Sequence, residues 1–335
     1  MVGGSPSLEI VVTSLPILSA LLAAPISLGA PIINGTPTED FAPVGAIGVL
    51  SGDYLYGPFC SATLIDPNWV LTAGHCVDAL NRDYAGYQGV FLLGYDFTRE
   101  EGYAGLAYIA EAFSHPSYSS SNMAYDIGLL RLSGMGVFSA GLMPVNRETI
   151  GQTWIGDDLR YVGFGVTDRY GGSAGAGIKR YADIPVWQYD RNSVYGYDPE
   201  DGQNVCSGDS GGAALEIVAE GQYELVAVNS TVFAPHGGDS CRDGATAGVR
   251  VDTNLDWIEQ YTDVVTAAEY YEDHPEDPGD SEVVQDTAWA STLPGRPRAR
   301  AVDDWGCGCA AGHLGFGGML LGALGGLGVA RRRRR

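Results

Sequence analysis

Between residues 32 and 268 the chain is divided into short apolar runs by closely spaced glycine, proline, asparagine and aspartate. Residues 44–50, 59–65, 69–72, 90–94 and 225–229 are rich in β-branched or aromatic side chains and bounded by turn formers. That spacing reads as an all-β barrel or sandwich. A helix is suggested only near the end of this body, where Asp252 or Thr253 can cap a run through Leu255, Trp257, Ile258 and Tyr261. No internal repeat of fixed period is present, although two barrels of similar topology would leave none.

Composition excludes some function classes. With 45% hydrophobic and 18% charged residues, the 335-residue chain has enough apolar material for a core, so wholesale disorder is excluded. The formal net charge of −22 disfavours nucleic acid or an anionic membrane surface as a partner. The single lysine is Lys179, and five arginines are stacked at 331–335, so little positive charge is left on the body.

Both ends carry apolar segments. Residues 10–30 are almost wholly apolar, broken by Pro16 and Pro25, and end in the small residues that suit signal peptidase, so residues 1–31 are expected to be an export signal and pro-segment. No Lys or Arg precedes Arg82, and Glu9 stands where a basic region is usual; an uncleaved membrane anchor and a core strand are the competing readings. From Glu269 the sequence turns acidic and proline-bearing, which reads as a linker over 269–306. A tail over 307–335 follows: Cys307-Gly308-Cys309, an uncharged run over 310–330, then five arginines. At 1.5 Å per residue that run would cover roughly 31 Å, about one hydrocarbon core, with the arginines left cytoplasmic. Its eight glycines and His313 also fit a flexible tail. The order Cys-Gly-Cys, apolar run, arginine cluster resembles the MYXO-CTERM sorting tags of myxobacterial surface proteins. The resemblance implies a processing and surface-anchoring signal read by sorting machinery.

Six cysteines in an exported protein are expected to pair in part. Spacing sorts them into Cys60 with Cys76, Cys206 with Cys241, and a tail pair, other connectivities among the first four staying open. No Cys-x-x-Cys with a second matched pair appears, so zinc ranks low, and neither a metal nor a cofactor is expected.

Three separated motifs carry the chemistry: Leu71-Thr72-Ala73-Gly74-His75-Cys76, Tyr125-Asp126-Ile127-Gly128-Leu129-Leu130 and Gly208-Asp209-Ser210-Gly211-Gly212. Together they resemble the trypsin-like (chymotrypsin-fold) serine proteases. Ile32-Ile33-Asn34-Gly35, Gly163-Phe164-Gly165 and Trp257-Ile258 extend the match in order over roughly 235 residues. The resemblance implies two six-stranded antiparallel barrels over 32–268, a C-terminal helix, and an active site between the barrels. It also implies polypeptide substrates.

The residues support the same chemistry. A serine hydroxyl is a weak nucleophile near neutral pH and needs a base with a pKa near 7, which His75 can supply to Ser210. A buried carboxylate, Asp126, must fix the imidazole tautomer and stabilise the imidazolium as it forms. Glycines around Ser210 let the N–H groups of Gly208 and Ser210 converge on the developing oxyanion.

In the family, cleavage frees the amine of an isoleucine that then pairs with the aspartate beside the nucleophile, which implies Ile32 and Asp209 here. Pro31 precedes Ile32 where a basic residue is usual, so another peptidase must trim the chain or activation works differently. Counting six residues back from Ser210 puts Asn204 at the floor of the specificity pocket, where specificity for Arg or Lys would need aspartate. Alignment of Asn229-Ser230-Thr231-Val232 and of residues 245–257 with the family adds Ser230 as substrate-binding, and sets Val232 and Thr246 where glycines would open the pocket. Cleavage after small or medium uncharged residues is expected.

Gly208-x-Ser210-x-Gly212 also fits the nucleophile elbow of α/β-hydrolases, but that fold needs its acid and histidine after the serine, and only His236, His274 and His313 follow. The glycine-rich residues 171–177 lack the Gly-Lys-Ser/Thr of a phosphate loop and read as a surface loop. A catalytically silent homologue acting as a surface binding protein is the alternative to an enzyme, and a purely structural surface protein is a third reading resting on the tail alone.

Overall fold

A computed structural model describes residues 32–134, 140–167, 174–274 and the backbone of 298–299. The expected signal (1–31), the tail (307–335) and most of the expected linker lie outside these residues, as does the start of the 171–177 loop.

All five apolar runs noted above are strands, each matching or lying within a strand: β2 (Val44–Ser51), β3 (Tyr54–Asp66), β4 (Trp69–Thr72), β5 (Gln88–Asp96) and β12 (Gln222–Phe233). With β6 (Gly102–Ser114) and β7 (Gly128–Leu132), the first four form a sheet of order β3-β2-β5-β6-β7-β4 that closes through β3 and β4. The second closed sheet has the order β9-β10-β13-β12-β11-β8, from β8 (Asp158–Gly163), β9 (Arg180–Tyr189), β10 (Ser193–Gly196), β11 (Ala213–Ala219), β12 and β13 (Ala245–Arg250). Each barrel therefore has six antiparallel strands, and closure removes the unpaired edges that an open sheet would present. A short first strand, β1 (Thr36–Pro37), adds to β9, so the start of the body lies on the second barrel before the chain enters the first. The two-residue β14 (Arg298–Ala299) runs parallel to the start of β3.

One buried cluster fills the first barrel and continues into the second through Val162, Phe164, Ala213, Leu215 and Val228. A second cluster, with Tyr161, Ile184, Val194, Ala214 and Val226, fills the rest of the second barrel and includes Ile32.

The end of the body departs from expectation. A 3-10 turn at Asp252–Asn254 leads into α2, which is only Leu255–Ile258. Neither Asp252 nor Thr253 caps it. Asp252 is held instead by the Arg250 guanidinium, within hydrogen-bond contact at Oδ2 and 3.0 Å at Oδ1. Trp257 and Ile258 are buried, and Tyr261 beyond the helix packs edge-on against Trp69 at 5.5 Å. Residues 269–273, acidic enough to read as the start of a linker, form most of helix α3 (Ala267–Asp273). Thr266 and Glu269 make a capping box there, satisfying two orphan N–H groups, and Tyr270 and Tyr271 are buried. Their hydroxyls accept from Leu142 N–H (3.2 Å) and Tyr223 N–H (3.1 Å), tying the segment to the barrels. Composition missed it because the polar face of a short helix dominates the count, while two tyrosines do the packing.

Candidate active site

His75 sits in the first turn of α1 (Gly74–Arg82), directly after β4. Ala73 at the N-cap offers no side-chain acceptor, which leaves early helical N–H groups in need of one. Asp126 supplies it from the segment before β7, whose Gly128 pairs with Thr72 at the end of β4: its Oδ1 accepts the His75 N–H at 2.7 Å, while its Oδ2 lies 2.8 Å from His75 Nδ1. A third bond comes from Ser230, whose hydroxyl donates to Oδ2 at 2.6 Å. Burial by itself would raise the pKa of this fully buried carboxyl. The charge and ring hydrogen bond of His75, the Ser230 hydroxyl and the His75 N–H outweigh it and hold Asp126 below the usual carboxylate range.

The segment with Ser210 belongs to the second barrel but is pinned by the first. Ser61 on β3 donates its N–H to the Ser210 carbonyl (2.8 Å) and its hydroxyl to the Gly208 carbonyl (2.9 Å), while accepting the Phe164 N–H (3.0 Å). Gly208 and Gly211 have φ of +95° and +83°, which other residues rarely adopt. A Cβ on Gly211 would also stand 2.1 Å from Thr72 Oγ1 and 2.3 Å from the Ser61 carbonyl. The turn after Ser210 thus presses against Thr72 and Ala73, the residues leading into His75, and the Ser210 carbonyl lies 3.7 Å from Cys76 Sγ. Ser61 was missed in the sequence because a serine in a buried strand carries no motif; only the barrel contact gives it a role.

Asp209 is fully buried, its Oδ1 accepting the Gly165 N–H (2.7 Å) and its Oδ2 the Cys206 N–H (2.9 Å). Ile32 is fully buried in the second-barrel core. Asn204 is buried and pairs through its backbone with Ile33; its Nδ2 donates to the Ser240 carbonyl at 2.9 Å. Val232 and Thr246 are direct partners between β12 and β13, Thr246 fully buried and Val232 half-buried. Ser230, expected to bind substrate, has its side chain turned to Asp126.

Disulfides join Cys60 to Cys76 and Cys206 to Cys241. The sulfurs of Cys60 and Cys76 and a ring nitrogen of His75 lie within 4.8 Å of one another, but sulfurs bonded to each other offer no thiolate to a metal.

A family model described as Trypsin matches residues 32–258. The chain is 27% identical over 219 residues to a brachyurin of Leptuca pugilator, covering 62% of this chain and 88% of that one. It is also 27% identical over 215 residues to Trypsin-1 of Astacus astacus (60% and 86%) and over 203 residues to a trypsin of Simulium vittatum (56% and 78%). The paired barrels, the motif-bearing segments where they meet and these likenesses agree: the chain belongs to the trypsin family and is a serine endopeptidase.

Proposed function

We propose that His75, Asp126 and Ser210 form a Ser-His-Asp triad that hydrolyses peptide bonds through an acyl-enzyme. The Ser210 hydroxyl attacks the scissile carbonyl as His75 takes its proton, and His75 then protonates the leaving amine. Water, deprotonated by the same imidazole, attacks the acyl ester and frees Ser210. Asp126 orients the ring and stabilises its cation, while the N–H groups of Gly208 and Ser210 receive the negative charge on the carbonyl oxygen. The observation that carries this reading is the buried, ionised Asp126 bonded to both the backbone and the ring of His75. A serine-directed fluorophosphonate tests it. Labelling of the wild type, lost together with peptidase activity in Ser210→Ala, supports the triad; no labelling of the folded protein supports the silent surface-binding homologue.

Specificity for small or medium uncharged residues is part of the proposal. Asn204 would offer a cationic side chain no counter-charge, and Val232 and Thr246, register partners of β12 and β13, would put side chains where an open pocket needs none. Profiling on a peptide library reads this directly, and a preference for Arg or Lys would refute it. The chain is exported in this scheme, and its tail is read by surface-sorting machinery. Among the described residues no helix is long and apolar enough to cross a membrane. Trimming after Pro31 by another peptidase would free an Ile32 ammonium to pair with Asp209.

A further inference from the structure

The second barrel holds a buried cation, Arg180, on the face where Asp209 sits. Arg180 opens β9 directly opposite Gly163 of β8. Opposed residues of an antiparallel pair project to the same face, and the face of Gly163 is occupied: a Cβ there would lie 2.4 Å from Asp209 Oδ1. The Arg180 side chain therefore rises on the side where the Asp209 carboxylate sits. Arg180 is only 7% exposed, its Nη1 donates to the Gly175 and Ile178 carbonyls at 3.3 Å, and its Nε has no hydrogen-bond partner among the described residues. Burial draws the guanidinium down to about 10, opposed first by Asp209 and then by Asp96, so it is protonated at neutral pH. Asp96 has its own cation, Arg99, at 2.6 Å.

A buried carboxylate is costly without a positive charge in range, and one that holds the N–H groups of Gly165 and Cys206 also sets the backbone of 206–211. While Ile32 is joined to Pro31 its nitrogen is an uncharged amide. We propose that Arg180 is a positioning residue: its guanidinium is a standing counter-charge for Asp209 that keeps the segment with Gly208 and Ser210 ordered before any cleavage, so the uncut chain hydrolyses peptides. This rests on the triad reading above.

The test compares the full chain, shown uncut by N-terminal sequencing, with a chain released at Ile32 through an engineered cleavage site. Wild type, Arg180→Gln and Arg180→Lys are assayed in both forms for kcat, KM, fluorophosphonate labelling rate and Tm. The expected result is an active uncut wild type, with Arg180→Gln losing at least about tenfold more kcat in the uncut form than in the released form, as for a disturbed oxyanion donor. KM should move less, and Arg180→Lys should recover most of the loss. Equal losses in both forms, or none in the uncut form, would overturn the proposal. An uncut wild type that is silent while the released form works overturns it even if Arg180→Gln does not fold, and leaves the triad standing. Silence of both forms overturns the triad reading as well.

Discussion

Asp126 meets His75 twice, through the backbone N–H at one carboxylate oxygen (2.7 Å) and through ring Nδ1 at the other (2.8 Å). The first contact fixes where α1 begins, and the second fixes how the ring stands within it. One buried side chain thus ties a helix terminus of the first barrel to β12 of the second through Ser230.

Asp126→Asn should leave a folded protein with kcat reduced by about 10⁴-fold, the loss seen in serine proteases when this carboxylate becomes an amide. Ser230→Ala removes only one of three bonds to the carboxylate, so its loss of kcat should be much smaller. Steady-state kinetics beside a thermal melt check both; equal losses would show that Ser230 does more than support the carboxylate.

Peptidase rate should rise with pH as the histidine base loses its proton, through an apparent pKa of about 7. The stability effect of Asp126 lies elsewhere. Its folded-state pKa is below the unfolded value of about 3.9, so its contribution is complete above that value and is lost as pH falls toward the folded one. Acid unfolding of Asp126→Asn should show a shallower dependence below about pH 4 than the wild type. An identical acid limb would rule out the depressed carboxyl.

Lys179, fully buried, donates from Nζ to the carbonyls of Asp40 and Phe41, both at 3.0 Å. Burial pulls its amine down to about 7, with Asp40 opposing. The unfolded chain then binds the extra proton between about pH 7 and pH 10, so stability rises with pH across that window, at most by about 1.4 kcal/mol per unit. Lys179→Met should flatten the rise in denaturant midpoint over that window. Above it Tyr103 and Tyr195, pushed up to about 12 chiefly by burial, act in the opposite direction.

Replacing Cys206 and Cys241 together by alanine opens a link across 35 residues. The chain-entropy cost of that loop is about 4 kcal/mol, so Tm should fall markedly. Because Cys206 N–H donates to the Asp209 carboxylate, kcat should fall more than in the corresponding Cys60, Cys76 double variant, whose link spans 16 residues. Comparable kcat in the two would separate the disulfide from the ordering of the Ser210 segment.

Strands and the three motifs were legible in the sequence because each leaves a local mark: short β-branched runs between turn formers, and glycines where φ must be positive, as at Gly208 and Gly211; closure into two barrels was implied only by the family resemblance. The short α2 and the α3 capping box were not legible, since a few buried aromatics decide a short helix and composition averages them away. Ser61, the turn of Ser230 toward Asp126 and the place of Arg180 beside Gly163 leave no mark along the chain at all. Each depends on the register between strands and on contact between barrels, joining residues more than a hundred positions apart in the case of Ser61 and Ser230. The order of residues determined which chemical groups this protein owns; only the closing of two sheets against each other decided which of them meet in the dark between, where a lone charge or hydrogen bond counts for most.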